Sequence, residues 1–242
     1  MGEIEKRKGP ALDRVVGGAG GAAISVLAAL LIGPEAAAVL GNASGPLVEE
    51  TSYALRAVIQ RRARKIEQAG EAACRKGQCT FEEIVEKALG DDRKIELITR
   101  VLQAAAVAEE ERKVRALGRA LARGVLTSED ALVDAELRIT SALASLEPVD
   151  IRALALMAGE KREWIKRPLD DQKDNEWAGV LIEADSGLAP VVDSIIARLS
   201  TYGLIGDESE GGFRLGGSSW RITHFGRTCL ESLMEQDGHE YS

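Results

Sequence analysis

The sequence predicts a mainly α protein: a helical bundle with apolar, Gly/Ala-rich helices at its N-terminal end and a C-terminal winged-helix-like module with a small β-hairpin. Three observations lead there. Aromatic residues make up only 4% of a chain that is 45% hydrophobic, so Leu, Ala, Val and Ile must do the packing. That composition, rich also in Glu and Arg, favours helix. Apolar residues recur at helical spacing through the middle of the chain, and only near the end do they alternate with polar ones around Gly-rich turns. With 242 residues there is room for one large or two modest domains. The elements group into segments 1–48, 49–146 and 147–242.

The first segment opens with a charged lead-in, "MGEIEKRKGPAL", and then turns apolar. Val15 to Pro34 is a run of 20 residues without a charge, the length a bilayer core requires. Eight of the 20 are Val, Ile or Leu and ten are Gly or Ala, so the gain from membrane insertion is small. Gly17 and Gly21 have the small-xxx-small spacing that lets helix backbones approach closely, and Leu27 and Leu31 continue the run. Gly33-Pro34 breaks it, because proline disfavours helix at the residue before it and removes a donor. A second apolar piece, "EAAAVLGNASGPLV", is too short to span alone. Two readings stay open: a helical hairpin that dips into a membrane, or helices that pack within the protein or between copies of it. A third reading takes "GAGGAA" as a dinucleotide loop. It fails because only Val15 and Val16 could form the strand before it and no second strand follows.

From Glu49 a long helix is expected, with Tyr53, Leu55, Val58, Ile59, Ile66 and Ala69 roughly on one face. Its basic cluster, Arg61, Arg62, Arg64 and Lys65, could meet anionic headgroups at about 1 kcal/mol per charge, or could simply be a solvated face. Gly77 ends that helix. Thr80 and Glu83 then form a capping box. "DDRKIELITRVLQAAAVA" begins with acidic residues, which suits the helix dipole. "EEERKVRALGRALARGV" carries Val114, Leu117, Leu121 and Val125 on a stripe and is expected to end at Gly124. Another helix follows and closes before Pro148.

The last segment starts with a helix that has Pro148 in its first turn. The polar stretch "EKREWIKRPLDDQKDN" comes next, and then a helix with Val191, Ile195, Ile196 and Leu199 as its apolar stripe. Helix, "GLI", a two-stranded wing and a closing helix is the order of a winged helix-turn-helix. Its cations are few: Arg198 on the helix that would enter a groove, and Arg214 and Arg221 in the wing. From Glu147 to the end there are 10 basic and 18 acidic residues. Phosphate contacts need Lys, Arg or helix N-termini, so this module is expected to bind protein rather than nucleic acid.

The chain as a whole carries a net charge of −8. Residues 1–80 hold 11 basic and 8 acidic side chains, and the rest hold 20 and 31. A basic front beside an apolar run is the distribution of a membrane-facing end. Three cysteines and two histidines leave little scope for a metal site, and none is expected. Cys74 and Cys79 bracket "CRKGQC" and could bridge, with Cys229 left over; reduced thiols in a cytoplasmic protein are the expectation. No nucleophile motif, acid–base pair or cofactor motif stands out, which points to a non-enzymatic role.

The order of these parts resembles a known family. "LIGPEAAAVLG", the Arg-rich "ALRAVIQRRARKIEQAGEAA", "LASLEPVDIRALALM", "IIARLSTYGLI" and "WRITHFGRTCLESL" follow one another as in the Abi-alpha family, bacterial proteins named for a proposed link to abortive phage infection. The resemblance covers about residues 30–236. It implies a phage-defence context and transfers no catalytic residue. The sequence-level expectation is therefore a non-enzymatic, defence-associated effector or adaptor, cytoplasmic and at most peripheral to or inserted in the inner membrane. It would touch lipid or a second copy through its N-terminal segment and an unknown protein partner elsewhere. The alternative is a soluble winged-helix regulator that binds nucleic acid.

Overall fold

The computed structural model describes residues 46–159, 165–166, 178–207 and 219–235, and the described part is mainly helical. The Gly/Ala-rich segment 15–45 lies outside the described residues. Among the described residues no helix is long and apolar enough to cross a membrane. The chain divides into two compact units, Met1–Thr140 and Ser141–Ser242.

Among the described residues the first unit begins with α1 (Pro46–Gly77), 32 residues long and so about 48 Å at 1.5 Å per residue. Proline stands at its first position, where a missing N–H costs nothing. Then come α2 (Phe81–Ala88), α3 (Asp92–Val107), α4 (Glu111–Leu126) and α5 (Asp130–Ser145), within which the division between the units falls. The expected capping box closes the start of α2: Thr80 N–H donates to Glu83 Oε2 (2.7 Å) and Glu83 N–H to Thr80 Oγ1 (3.3 Å). Asp91 caps α3 by accepting from the Arg93 and Lys94 amides.

Helix α4 is the centre of this unit and packs against α1, α2 and α3. Val114, Leu117, Leu121 and Val125 are all buried, as the stripe predicts, and burial extends round the helix to Ala116, Ala120 and Ala122. Small residues make that possible. At Gly118 the backbones of α4 and α1 come so close that a Cβ would sit 2.2 Å from the Ala69 carbonyl oxygen. Gly124 does not end the helix, which runs on to Leu126. It sits inside α4 because a Cβ there would meet Leu97 Cδ2 at 2.3 Å and Glu136 Cβ at 3.1 Å. The start of α5 is held to its neighbours by charge. Arg123 grips Glu136 through two bonds of 2.6 and 3.1 Å, and Arg93 reaches Asp130 at 2.6 Å.

The second unit continues with α6 (Pro148–Gly159), β1 (Ile165–Lys166), β2 (Ala178–Gly179), α7 (Val180–Ala184), a 3₁₀ turn (Ser186–Val191), α8 (Val192–Thr201), β3 (Ile205–Asp207), β4 (Ser219–Ile222) and α9 (His224–Met234). The strands form one antiparallel sheet in the order β2-β1-β4-β3, with Ile165 opposite Trp220 and Ile205 opposite Ile222. The sheet is larger than the expected hairpin: β1 arises inside the stretch read as a polar loop. The apolar stripe of α8 is Val192, Ile195, Ile196 and Leu199, all buried, whereas Val191 is exposed. The expected stripe was thus one position off at its start, because the turn containing Pro190 delays the α-helix.

Helix α8 ends in a Schellman motif. Gly203 has φ +69°, the Gly203 amide donates to the Ser200 carbonyl (2.8 Å), and the Leu204 amide donates to that of Leu199 (2.9 Å). The segment "THFGR" then locks the last helix to this turn. Thr223 Oγ1 donates to the Gly203 carbonyl (2.7 Å) and accepts from the Gly226 amide (2.9 Å), which caps α9. A Cβ at Gly226 would lie 2.1 Å from the Leu204 carbonyl oxygen, so this approach needs glycine.

Candidate functional site

The basic cluster lies on a stretch of α1 that holds no fully buried side chain. From Ala57 to Arg64 every side chain is exposed or half-buried; burial begins at Ile66 and continues through Ala69, Ala72 and Ala73. Val58, expected on the apolar face, is exposed. Over these two turns Ile59 and Ala63 are half-buried, and the exposed side presents Val58 together with Arg61, Arg62 and Arg64.

Arg61, Arg62 and Arg64 are exposed, and none forms an ion pair with a carboxylate among the described residues. The contrast with other arginines is clear: Arg75, Arg93, Arg100, Arg115, Arg123 and Arg198 each hold one within salt-bridge distance. Lys65 separates from the cluster. It is half-buried, and its Nζ donates to the carbonyl of Ala108 at the C-cap of α3, where a cation suits the helix dipole. The arginine triplet is therefore the candidate site, and Lys65 acts as a tie between α1 and α3. Gly17, Gly21, Leu27, Leu31, Gly33 and Pro34 lie outside the described residues.

The cations of the second unit are placed differently. Arg198 projects from α8 onto the start of α6, where its Nη1 meets Glu147 Oε1 at 2.5 Å and Asp150 Oδ2 at 3.1 Å. Asp150 is 1% exposed and its Oδ2 also accepts from the Glu147 amide at 2.8 Å, while Oδ1 has no hydrogen-bond partner among the described residues. Burial pushes the Asp150 carboxyl above its ordinary range, and the Glu147 amide and Arg198 only partly offset this. Sequence reasoning missed Asp150, although an acid three residues after a helix start is a capping pattern. On α8 the residues left exposed are Asp193, Ser194, Ala197 and Thr201, without a cation. Arg221 is half-buried on β4, and Arg214 lies outside the described residues. His224 is exposed at the first position of α9.

Cys74, Cys79 and Cys229 are thiols, none of them joined in a disulfide. Among the described residues no three His, Cys, Asp or Glu side chains gather as a metal site. No protein-family model, curated protein or solved structure matches the chain.

Proposed function

We propose that this chain is a non-enzymatic adaptor or effector of bacterial phage defence that docks on an anionic membrane surface. Its contact is the N-terminal part of α1 together with the apolar segment 15–48. The observation that carries the reading is the exposed triplet Arg61, Arg62 and Arg64, which has no carboxylate partner among the described residues and sits on a helical stretch without a fully buried side chain. Arginine that is not engaged by a carboxylate keeps its donors for phosphate, and each such charge contributes about 1 kcal/mol near an anionic leaflet. The apolar segment adds either insertion or self-association at the surface. The defence context rests on the Abi-alpha resemblance of the element order and of "GLI … ITHFGR".

The second unit supplies a protein contact in this proposal. The run α6, β1, α7, α8, β3, β4, with β1 beside β4, supports a winged-helix-like module. That order also favours the rival, a soluble nucleic-acid-binding regulator. Against the rival, the cation on α8 is engaged by Glu147 and Asp150, so the helix that would enter a groove offers acid and hydroxyl groups instead.

Vesicle flotation separates the two. The full chain should float with anionic vesicles and less with neutral ones, and a chain shortened to start at Leu47 should float weakly. Equal recovery without vesicles, together with salt-dependent retention on duplex DNA, would transfer the function to the rival.

A further inference from the structure

The end of α1 repeats the motif that ends α8. Gln78 has φ +51°, and the Cys79 amide donates to the Cys74 carbonyl at 3.3 Å, as the Leu204 amide donates to Leu199 across Gly203. In this motif the two residues joined by the long bond bring their side chains together. On α8 that pair is Leu199 and Leu204, both fully buried. On α1 the same two positions hold cysteines. The bond itself limits their separation: covalent geometry on either side of it caps the Cα–Cα distance at about 7 Å, the outer limit for a disulfide. Cys79 Sγ also folds back over the last turn, 3.0 Å from where a Gly77 Cβ would stand. Both thiols are half-buried, hence reachable, whereas Cys229 is buried.

We propose that Cys74 and Cys79 are an oxidation site, a dithiol that a small-molecule disulfide closes into an intramolecular bridge across the end of α1. One thiolate attacks the small disulfide and releases one of its halves as a thiolate. The second cysteine, as thiolate, then attacks the protein sulfur of that mixed disulfide and releases the other half. The two protein thiols lose two electrons, the small disulfide gains them, and the protons go to the two departing thiolates. Closure pins Gln78 between α1 and the Thr80 cap of α2, so it fixes the joint between these helices.

Burial raises the Cys74 thiol above its ordinary range, with the neighbouring Cys79, Glu82 and Glu71 adding to the effect; burial and then Glu83 raise Cys79. Both thiols are therefore protonated at neutral pH, and closure should speed up as pH rises.

The test uses the full chain, incubated to completion with oxidised glutathione at mildly alkaline pH and weighed intact by mass spectrometry. Wild type and Cys229→Ser should each become lighter by the mass of two hydrogens, carry no glutathione, and revert with dithiothreitol. Cys74→Ser and Cys79→Ser should instead each retain one glutathione. Trypsin cuts after Arg75 and Lys76, so the oxidised wild type should yield two peptides joined through Cys74 and Cys79. A stable glutathione adduct on wild type, a disulfide-linked dimer or an unchanged mass would overturn the proposal.

Discussion

Replacing Gly118 with alanine tests the packing that holds the arginine-bearing helix. The added Cβ would stand 2.2 Å from the Ala69 carbonyl oxygen and 2.8 Å from Ala72 Cβ. An ordinary carbon–oxygen contact is about 3.3 Å, so α1 and α4 must separate by about 1 Å. A gap of that size forfeits a quarter to a half of each dispersion contact across the interface. Overpacking of this kind costs about 1–3 kcal/mol, and alanine recovers about 1 kcal/mol through helix propensity. The net expectation is a loss of about 0–2 kcal/mol. Gly124→Ala is the matched comparison: it lies in the same helix and gains the same propensity. Its nearest obstacle is the Leu97 Cδ2 methyl, which can swing aside where a backbone carbonyl cannot. Urea unfolding followed by circular dichroism should show a clearly lower midpoint for Gly118→Ala than for Gly124→Ala, with an unchanged slope. If Gly118→Ala is more stable than wild type, or no less stable than Gly124→Ala, the close crossing of α1 and α4 is wrong.

Three further outcomes follow from the second unit. Gly226→Ala should destabilise it by about 1–3 kcal/mol, because the new methyl meets the fixed Leu204 carbonyl, and thermal unfolding should show a lower midpoint. Arg198→Met strips the counter-charge from a buried carboxylate; with the arginine partly exposed, we expect a loss of about 1–3 kcal/mol and no change in DNA retention. A drop in DNA retention without a drop in stability would show that Arg198 serves phosphate instead. The raised Asp150 carboxyl binds its proton more tightly in the folded than in the unfolded chain. Wild-type stability should therefore fall as pH rises from about 4, the unfolded carboxyl's range, through the higher folded value, and Asp150→Asn should lack this component. Chemical denaturation across that window checks the sign: the advantage of wild type over Asp150→Asn must grow as pH falls.

Much of the helical framework was legible because its signals are local. The Thr80–Glu83 box, the acidic start of α3, Pro148 and the α4 stripe each declare themselves within a few residues. Most of what escaped depends on contacts distant in sequence. Gly124 reads as a helix stop until Leu97 and Glu136 are seen against it. Strands β1 and β2 are two residues each, too short for any periodicity, and exist because β4 is there to pair with β1. The start of α8 moved by one residue because Pro190 sits in a 3₁₀ turn rather than in the helix. At the candidate site the basic cluster was visible as a string of letters. Its division was not: Lys65 leaves it for a carbonyl 43 residues away, and Arg198 is withdrawn by Glu147 and Asp150 at the start of another helix. The same letters, R and K, thus mark exposed side chains in one place and a structural tie in another.

The most direct test of the central claim is the affinity of the full chain carrying Arg61→Gln, Arg62→Gln and Arg64→Gln for vesicles containing anionic lipid. Each arginine contributes about 1 kcal/mol at the surface, so the triple variant should bind about two orders of magnitude more weakly than wild type at low salt. The difference should shrink as salt screens the surface. The variant should also unfold at the wild-type midpoint, since the three side chains are exposed. Binding equal to wild type at every salt concentration would contradict the account and leave this helix face without the role assigned to it.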